Sequence, residues 1–534
     1  MSEKRPFLRA AGVVGSITII SRFLGLARDM VLASVLGASR IGDIFQIAFE
    51  LPNMTRRVLG EGSLSAFIVP IFSRVRAEEG EKRGWQFASN ALTTIGLFTF
   101  LLMLLGIGLA PWLFWLLGYG YAARGDVEAI RLGVFLTRVM FPFQVFLALS
   151  AILMGLCHSL RHFSTPSMGS IMLNVTMIVT GLVFHKMPDQ NRFALYMALA
   201  VLAGVILRMV IMLPPLSARG FRYTFRLRPD SPRMRELYTM MVPAVFGMAV
   251  VQLNITISRP FATSLGEGYL PCLTFSNHLV QMPLAIVASA LATAILPQLS
   301  QYLIEKRVRD LHNLAVFAFR LILIVFVPAT IGLMVLGHPI IEILFQRGKW
   351  TALGTQNAYW ALLFYAPALV FWGILQILVP VFYAQRDVRT PVIVGVAAML
   401  FNVALNVLLV MVRPLRDSLG HGGLALANTL GVVLNTTLLQ IVLVRRGLPL
   451  WDRTLTSTAL KTLLAGGVMG AAAWAMWRVA HPLAAGRHGL VPVILLAAVL
   501  CASVALYFLV AFLIHVPDLR DALRFVLRRG RKRA

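Results

Sequence analysis

Apolar runs of roughly 18 to 25 residues recur along the whole of this 534-residue chain, each about as long as a helix must be to cross a hydrocarbon core of about 30 Å. Nothing else in the sequence constrains the fold as strongly. In lipid a backbone has to satisfy its own hydrogen bonds, and a helix does so within one segment. The spans placed on these runs fall near 8–36, 43–72, 86–117, 128–157, 165–186 and 193–216, and then, after a basic stretch, near 234–265, 269–302, 313–338, 355–384, 391–412, 422–446, 456–479 and 490–515. With 58% hydrophobic residues, 13% charged residues and a mean hydropathy of +0.79, the chain reads as an all-α polytopic membrane protein of about fourteen transmembrane helices.

The formal net charge of +27 invites a nucleic-acid reading, so the placement of the charge has to decide. With both termini inside, the inner segments hold about 29 Lys and Arg and the outer ones about 10, the bias that sets a cytoplasmic orientation. The densest clusters are Arg219, Arg222, Arg226, Arg228, Arg233 and Arg235, and the tail Arg528, Arg529, Arg531, Lys532 and Arg533. They read as topology determinants that touch anionic lipid, and no nucleic-acid partner is expected. Cys157, Cys272 and Cys501 lie on separate spans without CxxC spacing, so neither a disulfide framework nor a metal site is indicated. Lys4 and Arg5 before an apolar run imitate a signal peptide, but no small-residue cleavage pattern follows and Arg22 interrupts the run, which is therefore kept as the first helix.

The chain also repeats itself. Arg161, Thr165, Pro166 and Asn174 at the fourth and fifth spans are echoed by Arg386, Thr390, Pro391 and Asn402 at the tenth and eleventh. Gly37, Pro52, Pro70 and Ser73 are echoed by Gly266, Pro283, Pro297 and Ser300. An offset of six helices preserves orientation, so the repeats are parallel, as in transporters built from two rocking lobes. The expected organisation is an N-terminal lobe over 1–216, a basic cytoplasmic loop over 217–233, a C-terminal lobe over 234–446, two appended helices within 447–515 and a basic tail over 516–534.

Charge inside a span is costly. An arginine at the bilayer centre costs about 2.5–3.5 kcal/mol even on the mildest scale, so it normally faces a cavity or a partner. The first span carries Ser21, Arg22, Gly25, Arg28 and Asp29, and the second runs from Asp43 through Glu50, Pro52, Arg56 and Arg57 to Glu61. Arg22 and Arg28 point about 120° apart on a regular helix, and a bend at Gly25 would bring them toward one cavity. One reading pairs Arg28 with Asp29 or Asp43, and Arg56 or Arg57 with Glu61, as ordinary packing ion pairs. The other starts from the surplus of cations, to which Arg138 and Arg259 add, and makes the cavity an anion site. Arginine suits phosphate because its planar fork stays charged and donates parallel hydrogen bonds. Pro52, Pro142, Pro260 and Pro283 fall inside spans and supply kinks. Asp387, at a loop, is expected to cap or to pair with Arg386 or Arg389.

These residues resemble the MurJ (MviN) family of lipid II flippases, within the superfamily that includes multidrug antiporters and polysaccharide flippases. The resemblance rests on Ser21, Arg22, Gly25, Arg28 and Asp29; on Leu51, Pro52, Asn53, Arg56, Arg57, Glu61 and Gly62; and on the run from Leu136 to Pro142. Phe345 to Thr351 and Phe382 to Pro391 extend it. It implies two six-helix lobes around a cationic cavity and a groove for a polyprenyl tail at the last two helices. It also implies lipid II as substrate, an undecaprenyl-diphosphate-linked disaccharide peptide, with membrane lipids and cell-wall synthesis proteins as further partners, and the cytoplasmic (inner) membrane as location. The substrate-binding arginines it implies are Arg22, Arg28, Arg56, Arg57 and Arg259, supported by Asp29, Asp43, Glu61, Arg138, Gly25 and Pro52. In span eight the family often has an acidic or amide residue followed by arginine, where this chain has Asn277 and His278. His278 is either a neutral substitute in the second lobe's share of the site or a packed, hydrogen-bonded histidine.

No P-loop is visible, so energy would come from the membrane potential, an ion gradient or consumption of the product, and no cofactor beyond a coupling cation of unknown ligands is expected. A multidrug exporter of cations would want buried carboxylates, so the charge sign argues against it, whereas a polysaccharide-lipid exporter of the same superfamily stays open. A polyprenyl-linked glycosyltransferase fits less well, because the outer loops are short and poor in Asp and Glu. The expectation is a transporter, not an enzyme.

Overall fold

A computed structural model of the chain describes residues 4–55, 63–305, 307–385, 387–448, 450–484 and 489–519. Among them every regular element is a helix. Two compact units emerge, one of residues 1–271 with 347–350 and one of 272–346 with 351–534.

The first unit contains α1 (Lys4–Leu36), α2 (Arg40–Thr55), α3 (Ser63–Glu78), α4 (Glu81–Leu117), α5 (Tyr119–Ala123), α6 (Val127–Met140), α7 (Phe143–Ser159), α8 (Ser164–Phe184), α9 (Gln190–Val210), α10 (Leu213–Ser217), α11 (Pro232–Thr256) and α12 (Arg259–Leu265). The second contains α13 (Tyr269–Ile304), which begins at the boundary, α14 (Val308–Phe345), α15 (Ala352–Tyr365), α16 (Ala368–Ala384), α17 (Arg389–Met411), α18 (Arg413–Leu419), α19 (Gly422–Arg445), α20 (Arg453–Ala484) and α21 (Leu490–Leu513). Among the described residues nine helical stretches are long and apolar enough to cross a membrane, and α15 with α16, bent by 44°, makes a tenth. Three more helices, α1, α11 and α13, have 33, 25 and 36 residues, longer than the about 20 a bilayer requires.

The four prolines expected to kink their spans fall into two groups. Pro142 and Pro260 sit where helices break, between α6 and α7 and at the start of α12, because a residue without an N–H is tolerated best at a first turn. Pro52 lies inside the continuous α2, and Pro283 within α13. Pro367 breaks α15 from α16, and it follows Pro142 by 225 residues, as Thr390 follows Thr165. At this pair of positions the two repeats break alike.

In the first unit α1 packs on α8, α8 on α9, α3 on α7 and α2 on α6. Leu97, Phe98, Leu101, Leu105, Trp112 and Leu116 are exposed along one face of α4, a surface that fits lipid and not water. Hydroxyls inside the bundle bond back to their own helices, Thr99 to Ile95 and Ser150 to Leu147 among them. The basic 217–233 segment is tied down: Asn90 bonds the backbone of Arg228 through both ends of its amide, Tyr223 meets the Thr93 hydroxyl at 2.9 Å, and Arg233 pairs with Glu79 at 2.7 Å.

In the second unit the appended helices dock on α14. Gly466 and Gly470 form a small-xxx-small pair whose added Cβ atoms would lie 2.6 and 2.7 Å from the Ile331 side chain, so a larger residue at either position would make Ile331 shift. The Tyr507 hydroxyl on α21 donates to the Ile324 carbonyl at 2.8 Å. Arg320 pairs with Asp518 at 2.7 Å and with Asp452 at 3.7 Å, fastening the ends of α20 and α21 to α14.

Candidate functional site

Most of the polar residues that the sequence places inside spans fall in the first unit, where they form three clusters. In the first, Arg28 donates from Nε and Nη2 to one carboxylate oxygen of Asp29, at 3.1 and 2.7 Å, and from Nη1 to Asn174 Oδ1 at 3.2 Å. Asn174 returns a bond to the Ser21 carbonyl at 3.2 Å, so its amide, from α8, fixes the guanidinium of α1. The partner of Arg28 is Asp29, not Asp43. Among the described residues three of its five N–H donors are engaged.

The second cluster centres on Glu50 of α2, which is 2% exposed. Arg259 Nη2 donates to Glu50 Oε2 at 2.8 Å, and Thr256 and Asn53 donate to the same carboxylate at 3.3 and 3.4 Å. The break before α12 positions the pair: α11 ends at Thr256 and Arg259 opens the next helix. A buried pair of this kind neutralises charge that lipid would otherwise reject, and removing either partner strands the other.

Asp43 forms the third. Fully buried, it accepts from the Tyr121 hydroxyl at 2.7 Å and from the backbone N–H groups of Gly268 and Leu270 at 2.6 and 3.0 Å. No arginine is needed here, because three donors satisfy the carboxylate. Just outside the spans, Arg40 grips Asp126 through two bonds, at 2.7 and 2.5 Å, while Asp126 also caps α6 through Ala129 N–H. The Arg40 guanidinium holds the Asp126 carboxyl below the usual carboxylate range.

Arg22 is exposed on α1, and no ion pair reaches it among the described residues. Helix α1 continues through Gly25 without a break. Arg138 is exposed on α6 and donates from Nε to the Ile107 carbonyl at 3.3 Å. That carbonyl lies four residues before Pro111 inside α4, so it lacks its helical donor, and Arg138 takes that donor's place. Arg56, Arg57 and Glu61 lie outside the described residues. His278 is half-buried on α13 in the second unit. Asp387 caps the start of α17 by accepting from the Thr390 N–H and hydroxyl at 2.9 and 2.6 Å, and its ion-pair partner among the described residues is Arg446, at 2.6 Å, not Arg389; Arg386 lies outside the described residues. Glu50 and Asn174 complete two of the three clusters although neither was among the expected site residues. Glu50 had a readable signal, since it lies seven residues after Asp43 and so two turns along the same face of α2. Among the described residues no group of three or more His, Cys, Asp or Glu could hold a metal.

Comparison with known proteins follows the same line. A family model described as "Lipid II flippase MurJ" matches residues 32–497. The lipid II flippase MurJ of Burkholderia cenocepacia is 30% identical over 469 residues, covering 86% of this chain and 89% of that protein. The probable lipid II flippase MurJ of Vibrio cholerae is 29% identical, covering 89% and 90%. Among solved structures, a lipid II flippase MurJ in an inward closed conformation superposes with a TM-score of 0.76 at 21% identity over 96% of this chain and 99% of that one. An inward-facing multidrug transporter of the MATE family gives 0.64 at 14% identity, over 82% and 98%.

Proposed function

The chain belongs to the MurJ lipid II flippase family, and from that membership we propose that it carries lipid II from the cytoplasmic to the outer leaflet of the cytoplasmic membrane by alternating access. It is a transporter, not an enzyme. In this reading fourteen helices cross the membrane with both termini cytoplasmic, 1–216 and 234–446 act as the two lobes, and the groove for the polyprenyl tail lies within 447–515.

The observation that carries the site assignment is the way Arg28 is held. Asp29 and Asn174 fix its guanidinium and, among the described residues, leave two N–H donors uncommitted, an arrangement that suits a phosphate oxygen. Arg22, without a carboxylate of its own among the described residues, supplies net positive charge on the same helix, and Arg56 and Arg57 add to it. Arg259 contributes through its buried pair with Glu50, whose exchange for a pair with the diphosphate would link binding to movement of α12. Desolvation strengthens each of these contacts, because fixed guanidinium groups in a site of low dielectric replace water around the diphosphate. If the potential is negative inside, it assists any net negative charge carried outward by about 2.3 kcal/mol per charge for each 100 mV.

Arg28→Ala and Arg22→Ala, each expressed in cells that depend on this protein, test the assignment through lipid II translocation. Translocation falls in both variants while the protein stays in the membrane at its normal level. Untouched translocation in both removes the first helix from the substrate site.

A further inference from the structure

The turn between α7 and α8, at the end of the first unit that carries the basic 217–233 segment, opens a cavity of about 470 Å³ lined by Arg76, Glu81, Ser159, Leu160, Arg161 and Arg219. Arg76 is paired with Glu81 at 3.1 Å. Arg161 and Arg219 have no ion pair among the described residues, so the lining carries excess positive charge. Arg219 donates to the Leu160 carbonyl, which holds its guanidinium at the cavity wall. Arg161 takes a left-handed backbone conformation, φ 57°, at the position just past a helix end where glycine is the unstrained choice.

The second repeat shows what such a corner contains when it is complete. Arg161, His162, Thr165 and Pro166 correspond to Arg386, Asp387, Thr390 and Pro391, and Arg219 with Gly220 corresponds to Arg446 with Gly447, the glycine left-handed in both at φ 84° and 77°. In the second unit Asp387 fills the corner: it accepts from Thr390 N–H at 2.9 Å, from the Thr390 hydroxyl at 2.6 Å and from Arg446 Nη2 at 2.6 Å. In the first unit the residue at that place is His162. Its Nε2 meets the Thr165 hydroxyl at 2.6 Å, so the threonine contact survives and the carboxylate does not. One repeat carries a carboxylate at this position, and the other keeps the arginine without it, the Glu81 carboxylate at the cavity wall being taken by Arg76.

We propose that the α7–α8 corner of the first unit binds a phosphate group from outside the chain, held by Arg219 and Arg161, in the role that Asp387 plays in the second unit. The corner directly follows Val127–Ser159, a stretch long and apolar enough to cross a membrane, so with that stretch in the bilayer the phosphate of an anionic phospholipid has the readiest access, and free phosphate carries the same chemistry. These residues take no part in the lipid II assignment, and the proposal stands independently of it.

The test is titration of phosphatidylglycerol into the delipidated full-length protein in neutral detergent, with bound lipid counted by native mass spectrometry and inorganic phosphate as competitor. Arg219→Gln weakens the tightest lipid site about tenfold, the loss of one charge-assisted bond. His162→Asp, which copies the second repeat's carboxylate into the corner, weakens it by as much while thermal stability holds. Displacement of the lipid by millimolar phosphate assigns recognition to phosphate alone, and lipid binding that resists phosphate assigns it to the intact headgroup and its chains; both support the site. Unchanged lipid affinity in both folded variants overturns it.

Discussion

Replacing Asp43 by asparagine changes one atom and separates its role from that of an ordinary buried polar residue. Its two carboxylate oxygens accept three bonds, Oδ2 from Tyr121 and Gly268 and Oδ1 from Leu270. An asparagine amide has one oxygen, so either orientation turns an NH₂ toward a backbone N–H that already donates: Leu270 in one, Gly268 in the other. A buried donor left without an acceptor costs about 1–3 kcal/mol, and Asp43→Asn should lose about that much. Tyr121→Phe removes one bond to a charged acceptor, a loss of about 1.5–3 kcal/mol. Asp43→Ala strands all three donors at once and should cost about 3 kcal/mol or more. The assay is thermal unfolding in detergent followed with a thiol-reactive dye, since Cys157 and Cys272 are buried and Cys501 supplies a constant exposed baseline. An Asp43→Asn protein within about 0.5 kcal/mol of the parent, or an alanine variant no worse than the asparagine one, would refute the three-donor account.

Arg138→Leu should destabilise by about 1–2 kcal/mol because it uncovers the Ile107 carbonyl, and in a Pro111→Ala background, where the helix recovers its own donor, the loss should largely vanish; equal costs in both backgrounds would show that Arg138 acts otherwise. At Gly120 an added Cβ would sit 2.0 Å from the Thr263 carbonyl oxygen, so Gly120→Ala must move backbone and should cost about 1–3 kcal/mol in the same assay, whereas Gly108→Ala, inside α4 with open space around it, should cost nothing and can gain up to about 1 kcal/mol. The Arg40–Asp126 pair predicts an acid response of definite sign. With the folded carboxyl held below its unfolded value of about 4, the stabilisation is full above that pH and is lost as pH falls through the depressed folded value. Melting temperature measured on both sides of that window should therefore fall more in the parent than in Arg40→Gln, and a gap between the two that is independent of pH would contradict it.

Much of this was legible in the sequence, and the exceptions have physical reasons. Hydropathy exposes the apolar helices because lipid leaves the backbone few alternatives, and Pro142 and Pro260 break helices because a missing donor acts locally. Charge inside the first two spans is equally visible. Which partner each charge takes is not, because that depends on packing between helices distant in sequence. Asp29 and Asp43 look alike as candidates for Arg28, yet one is claimed by its neighbour and the other by Tyr121 and the 268–270 backbone. Arg259 reads as a surplus cation until Glu50, 209 residues earlier, is brought against it. Arg138 reads as a cavity charge and serves a carbonyl that a proline on another helix left open. At the α7–α8 corner the exchange of Asp387 for His162 is visible in the repeat itself, whereas the engagement of that carboxylate by Thr390 and Arg446 is visible only in the side-chain geometry.

The central claim, that this chain brings lipid II to the outer leaflet, is tested most directly by depleting the protein in a host that depends on it and adding an external enzyme that cleaves only outward-facing lipid II. The account predicts that uncleaved, protected lipid II accumulates as the protein is lost and that restoring the parent chain returns it to the accessible pool. Lipid II that stays as accessible after depletion as before would contradict it.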